Sequence, residues 1–291
     1  MNFNKKLEKA IKKNNSLLCV GLDSDVDRLR ESFGESRQFL FNKSIIEATK
    51  THVCSYKLNT AFYEAIGHSG IKALKDTCDY LREKHPEIPL IIDAKRGDIG
   101  NTNDGYVQFV FTYLGGDAVT INPYFGEEAI RPFLNKKDKG IIVLCKTSNA
   151  GAGEIQDLVI SNGMRDLVPT LRRDAYNASL DFSASPRNDM KLYQYIAYQV
   201  SHEWNKNKNC LLVVGAMYPN ELKQVRKIVG QDMTLLIPGI GAQGGDLEAT
   251  LKAGLNSRGR GLIINSSRNI VFAKNPREEA KKLRVEINKF C

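Results

Sequence analysis

Pro89-Leu-Ile-Ile-Asp93-Ala-Lys95-Arg-Gly-Asp98-Ile-Gly-Asn-Thr102 reads as one strand running into one turn. Its apolar start lacks the helical period and leaves no solvent-facing side, which is how a strand buried on both faces reads. The run stops in a burst of charge, and a helical pattern follows over 103–114. The same order recurs along the chain. Strands are expected over 16–21, 52–59, 89–94, 118–122, 140–146, 209–215, 234–238 and 261–265. Helical patterns over 38–50, 70–84, 103–114, 127–135, 189–206, 219–229, 245–253 and 276–289 separate them. Strands alternating with helices in this way predict an α/β fold, a (β/α)8 TIM barrel, as a single domain over 1–291; a doubly wound open sheet is the main competitor.

One connection breaks the repeat. About 40 residues separate the fifth strand from the helix expected near 189, and connections of that length are usually functional or linker segments. This insertion opens with Ser148-Asn-Ala-Gly-Ala-Gly and later carries Ser183-Ala-Ser-Pro-Arg-Asn; a helix over 165–177 fits inside it.

Composition narrows the function classes. Of 291 residues, 42% are hydrophobic and 26% charged, which excludes a disordered or collagen-like chain. No apolar run has the length of a membrane span, and the first residues carry no signal-peptide core, so a soluble, cytoplasmic protein is expected. The six cysteines form no Cys-x-x-Cys pair, so zinc and thiol-exchange spacings are absent and free buried thiols are expected. His202-Glu203 has no second histidine at the metalloprotease spacing and reads as a helix-surface pair. The net charge of +9 fits an anionic partner. The basic pairs Lys5-Lys6, Lys12-Lys13, Lys136-Lys137 and Lys281-Lys282 lie on expected helices or their ends without a nucleic-acid-binding motif, so they read as solvated faces.

In a barrel of this type the chemistry sits at the C-terminal ends of the strands. Collected from those ends are Asp23, then Lys57 and Asn59, then Asp93, Lys95 and Asp98, then Asn122-Pro-Tyr-Phe-Gly, then Lys146-Thr-Ser148-Asn. Pro238-Gly-Ile-Gly-Ala-Gln243-Gly-Gly-Asp and Asn265-Ser-Ser267-Arg268 follow the last two strands. Strand alternation puts Asp93 and Lys95 on one face, beside Lys57 of the neighbouring strand. Ammonium and carboxylate groups in so small a volume persist only if opposite charges alternate. Gly239-x-Gly241-x-x-Gly244 has the spacing of a dinucleotide loop, but it follows the seventh strand and comes directly after a proline. A phosphate loop of a barrel fits better, with Arg268 as a bidentate clamp.

Together, Asp93-x-Lys95-x-x-Asp98, Lys57, the Lys-Thr-Ser-Asn turn, the Gly-Ile-Gly-Ala-Gln loop and Asn265-Ser-Ser-Arg268 resemble the orotidine 5'-phosphate decarboxylase family, in its longer-chain branch. The resemblance implies a homodimer, without metal or organic cofactor, that converts orotidine 5'-phosphate to UMP and CO₂ as the last step of UMP synthesis. By the same resemblance, Lys95 is the proton donor to C6 and Asp93 lies beside the departing CO₂. Lys57 bridges the acids and the ribose, while Asp98 and Thr102 reach the neighbouring subunit's site. Asp23 and Asn59 contact the ribose, Ser148 reads the pyrimidine, and Pro238 lines the base pocket. Gln243 and Arg268 grip the phosphate, and Ser267 joins the substrate-binding set. Asp-x-Lys-x-x-Asp alone is shared with 3-keto-L-gulonate 6-phosphate decarboxylase and hexulose-phosphate synthase, so a sugar-phosphate decarboxylase or synthase is the alternative. A Schiff-base aldolase is disfavoured because its lysine would have to stand unpaired. A non-catalytic basic binding protein would have no need of the charged cluster.

Overall fold

The computed structural model describes residues 1–29, 37–160, 190–241 and 244–291. Eight parallel strands close into a barrel in the order β1-β10-β9-β8-β5-β4-β3-β2. They are β1 (Leu18–Gly21), β2 (Ser55–Asn59), β3 (Leu90–Arg96), β4 (Ala118–Ile121), β5 (Gly140–Lys146), β8 (Cys210–Val214), β9 (Leu235–Ile237) and β10 (Leu262–Ser266). Every residue of β1, β4, β8, β9 and β10 is buried, as strands packed inside on the barrel core and outside on helices must be. The expected (β/α)8 barrel is the observed fold; most strand ends are trimmed by one to three residues where the ladder gives way to turns, whereas β3 runs two residues past its expected end, through Lys95 to Arg96, and β10 one residue past its own, to Ser266.

Two helical stretches differ from the expected pattern. The one expected over 103–114 is an α-helix at Gly100–Val107 that continues as a π-helical turn, Gln108–Tyr113. The one expected over 189–206 begins only at Leu192 and ends in a second π turn, Gln199–Trp204. Met190–Lys191, expected as helix, is instead a strand (β7) paired antiparallel with Val159–Ile160 (β6). This two-stranded ribbon joins the two ends of the insertion after β5. The helix proposed over 165–177 lies outside the described residues.

The N-terminal end of the barrel is closed by a helix outside the repeat, Phe3–Asn14. Asn2 caps it by accepting from the Lys5 N–H, and Phe3, Leu7, Ala10 and Ile11 face inward. A Cβ on Gly140, the first residue of β5, would lie 2.5 Å from the Phe3 ring, so only glycine lets this helix seat. Lys6, from a pair expected to be solvated, instead reaches Asp117 at 2.6 Å. Five of the six cysteines are buried free thiols, and burial pushes Cys19 up to about 12.

At the same end Arg226 looks in sequence like a surface charge on an amphipathic helix, yet it is buried. Its guanidinium donates to the carbonyls of Gly254, Gly230, Met233 and Gly261 at 2.7–3.0 Å. It therefore ties the helix Pro219–Val229 to the turns that open β9 and β10. Burial without a carboxylate partner holds its pKa down, at about 10. Arg226→Leu is expected to lower unfolding free energy by about 3 kcal/mol, since four carbonyls lose a charged donor. Urea denaturation checks this; a loss below about 1 kcal/mol would show that water replaces the guanidinium.

Candidate active site

The site forms where β1 to β4 end. Lys57, on β2, is buried and sends its Nζ to Asp93 Oδ2 at 3.0 Å and to Asp23 Oδ1 at 3.4 Å. Asp93, on β3, accepts on Oδ1 from Lys95 Nζ at 2.7 Å and from the Thr120 hydroxyl at 2.8 Å. The charges run Asp23, Lys57, Asp93, Lys95, with each cation against a carboxylate. Burial alone would raise the Asp93 pKa, but Lys57, Lys95 and the Thr120 hydroxyl outweigh it and hold the carboxyl well below the usual range. Burial opposes the charge on Lys57, yet Asp23 and Asp93 leave its ammonium harder to deprotonate than a free lysine. Both groups therefore stay ionised through the neutral range.

Simple alternation does not bring Asp93 and Lys95 together. The β3–β4 register shifts between Ile92 and Arg96, and Lys95 takes the left-handed backbone, with φ of 48°. The strand bulges there, and the bulge aims Lys95 back at Asp93. Lys95 keeps 48% of its side chain exposed against 10% for Asp93, so the ammonium stands at the surface of the array.

A cavity of about 390 Å³ opens over this array at the C-terminal mouth. Asp23, Lys57, Asn59, Asp93, Lys95, Ser148, Pro238, Ser267 and Arg268, all expected from sequence, line it. Asp98 and Thr102 do not. The Asp98 carboxylate accepts from the Ile99 N–H at 2.7 Å, its backbone is held by the Asn103 amide, and Thr102 is exposed. Gln243 lies outside the described residues. The lining also includes residues assigned no role of their own from sequence: Thr147, Asn149 and Asn265 of the quoted turns, Thr120, and the apolar wall of Leu144, Val213 and Leu236. Thr120 and Asn265 were visible as polar residues inside apolar runs. The wall residues were not, because nothing marks which apolar side chain faces a cavity.

Opposite the array, Gly239, Gly241 and Gly244 have φ of 100°, 80° and 81°. A Cβ on Gly241 would lie 2.1 Å from the Asn269 amide, so conformation and space both demand glycine. Arg268 makes no ion pair with a described residue and lines the same mouth. Gly21 is required as well, since a Cβ there would meet the Ser267 hydroxyl at 2.0 Å.

The loop bearing Ser148 is held from below. Lys146 is fully buried, 2.8 Å from Asp157 Oδ2 and 4.7 Å from the Tyr218 ring centre. The Gln156 side chain accepts from the Thr147 N–H and donates to its hydroxyl, and the Tyr218 hydroxyl donates to the Asn149 carbonyl. Ser148 itself packs on Gly215, where a Cβ would come within 2.8 Å.

This geometry can be set beside known proteins. Residues 16–283 match the family model described as Orotidine 5'-phosphate decarboxylase / HUMPS family. The orotidine 5'-phosphate decarboxylase of Cellvibrio japonicus is 41% identical over 99% of this chain and 98% of its own. That of Janthinobacterium sp. is 42% identical over 94% of this chain and 91% of its own. The solved Leishmania donovani OMP decarboxylase superposes with a TM-score of 0.82 at 35% identity, covering 100% of this chain and 99% of that one. The Leishmania donovani UMP synthase superposes with a TM-score of 0.84 at 36% identity, with this chain spanning 56% of that longer protein. The chain belongs to the orotidine 5'-phosphate decarboxylase / HUMPS family. Within it, the matches along nearly its whole length place it with the orotidine 5'-phosphate decarboxylases, which are carboxy-lyases.

Asp157 is the half-buried partner of a buried lysine. The Lys146 hydrogen bond, against a smaller burial effect, holds its pKa below the ordinary value. A depressed carboxylate pKa adds stability above the unfolded pKa, about 4, that is lost as pH falls through the folded value. Asp157→Asn is therefore expected to cost about 2 kcal/mol at pH 7, discounted from a fully buried pair because Asp157 is one-third open to water. The deficit should shrink below about pH 4. Melting temperatures between pH 3 and 7 check this, and a pH-independent deficit would contradict it.

Proposed function

We propose that this protein decarboxylates orotidine 5'-phosphate to UMP and CO₂, with Lys95 as proton donor. One observation carries the assignment of Lys95: its ammonium is anchored by Asp93 on one side and open to the cavity on the other. Breaking the bond between C6 and its carboxylate leaves the electron pair on C6, in a ring with no good place to delocalise it. A fixed cation beside that carbon stabilises the developing charge, and it costs little reorganisation because the array already holds it. The same ammonium then gives its proton to C6 as general acid. Asp93 has the place to face the substrate carboxylate, with Lys57 between it and Asp23.

The rest of the cavity divides by chemistry. Asp23 and Asn59 stand where ribose hydroxyls would be held, and Ser148 and Pro238 flank the space for the pyrimidine. Arg268, Ser267 and Gly239 form the phosphate end. Binding energy gathered there can hold the reacting carbon at Lys95. The array supplies both charge and proton, so this reading calls for no metal or organic cofactor.

Absorbance loss on adding orotidine 5'-phosphate tests the reaction directly. Lys95→Ala is expected to lower kcat by at least about 10²–10⁴, the usual weight of one general acid. Retention of more than about a tenth of the activity would remove Lys95 from the role.

The active form is proposed to be a homodimer acting in the cytoplasm, with orotidine 5'-phosphate and UMP as its small-molecule partners and neither nucleic acid nor membrane. Among the described residues no helix is long and apolar enough to cross a membrane. Support for pairing comes from the rim after β3 and β4. There Ile99, Tyr124 and Phe125 are largely exposed, beside an Asp98 and a Thr102 that do not line the cavity over the array. In this reading both residues complete the neighbouring subunit's site. Homodimers of Lys95→Ala and of Asp98→Ala, mixed under subunit exchange, should regain activity in about a quarter of all sites, by two-fold symmetry. Exchange confirmed by mass spectrometry without recovered activity would overturn the shared site.

A further inference from the structure

We propose that Thr120 is a positioning residue for the decarboxylation, its hydroxyl fixing the one arrangement of β3 in which Asp93 and Lys95 touch. The inference rests on reading those two residues as the reacting pair. Between the register pairs Ile92↔Val119 and Arg96↔Ile121, β3 carries Asp93, Ala94 and Lys95, while β4 offers Thr120 alone. A ladder cannot pair such a stretch through backbone groups only, and Thr120 supplies what is missing. Its hydroxyl accepts from the Lys95 N–H at 2.9 Å and donates to Asp93 Oδ1 at 2.8 Å. A hydroxyl has one donor and two acceptor sites, so a single side chain can hold both.

Each bond constrains a different degree of freedom. The first satisfies the backbone of Lys95 in a left-handed conformation, with φ of 48°, which side-chain-bearing residues leave unless the surroundings hold them. The second fixes the rotation of the Asp93 carboxylate. Its Oδ1 is the same oxygen that takes Lys95 Nζ at 2.7 Å, while Oδ2 serves Lys57. Thr120 is itself buried and β-branched, so its side chain has little freedom to turn away. Valine would fill the same space in a strand at least as well. The hydroxyl therefore adds local order to β3 rather than packing, and its two bonds both end on the reacting pair.

Thr120→Val and Thr120→Ser, measured beside Lys95→Ala, test this. Valine is expected to lower kcat about 10- to 100-fold, the weight of a hydrogen bond to a charged group. KM and UMP affinity should stay within about twofold, and the melting temperature should fall by only a few degrees, the cost of the Lys95 N–H losing its acceptor, with the chain still folded at the assay temperature. Serine, which keeps the hydroxyl, should stay within about threefold of the parent kcat. A valine variant as active as the parent, while Lys95→Ala is dead, would overturn the positioning role and leave the reacting pair intact. So would a serine variant as impaired as valine. An active Lys95→Ala would instead remove the reacting pair on which the inference rests. If the valine chain does not fold, Thr120→Ala compared with Thr120→Ser makes the same decision.

Discussion

Asp93 accepts from Lys57, Lys95 and Thr120 at once, and the rest of the site is arranged so that it can. A carboxylate that deep in a barrel is costly unless its charge is answered, and two ammonium groups sharing one volume repel unless acids lie between them. Alternation of charge meets both conditions. It also ties the site to the register of the barrel, because Asp23 follows β1, Lys57 lies on β2, Asp93 and Lys95 lie on β3, and Thr120 lies on β4. Gly21 pairs with Lys57, and Asn59 pairs with Asp93. A slip of one residue in any of these strands would turn a charged side chain out of the mouth and leave its partner buried and alone. The array is thus a constraint on folding as well as a reagent.

The cavity is asymmetric in consequence. The half built on β1 to β4 is charged, with Lys57 and Asp93 buried and Lys95 open to the cavity. The half built on β5 and β8 to β10 is a mixture of apolar wall, hydroxyls, amides and glycine backbone, with Arg268 at its edge. The first half suits a reaction that develops charge, and the second suits a ligand to be gripped by shape and by a distant anion. The loop after β5 joins them. It is a loop by conformation only, since a buried Lys146 and half-buried Asp157 and Tyr218 brace it from beneath.

The barrel could be read from the sequence because strands buried on both faces leave long apolar runs, and because each run ends in polar residues that no core could take. Asp93, Lys95, Lys57 and Arg268 were legible for the same reason. The bulge at Lys95 was not, since a register shift depends on the partner strand and leaves no period of its own. Thr120 was overlooked as one polar residue in an apolar run; what gives it meaning is a gap in β3, not anything beside it in sequence. Arg226 was not legible either. Its helix reads as amphipathic, and only the convergence of four carbonyls, from its own helix end, the turn before β9, Gly254 and the turn before β10, makes a buried guanidinium tolerable.

The short ribbon of Val159–Ile160 against Met190–Lys191 has an evolutionary consequence. It brings the chain back beside the point where it left, at the ~5 Å separation of paired strands. Once the two ends of a segment are clasped, lengthening it costs little: each doubling adds only ~0.6 kcal/mol of closure entropy. The barrel therefore tolerates wide variation in what is spliced between the clasped ends. The clasp thus separates the length of that segment from the register on which the charge array depends.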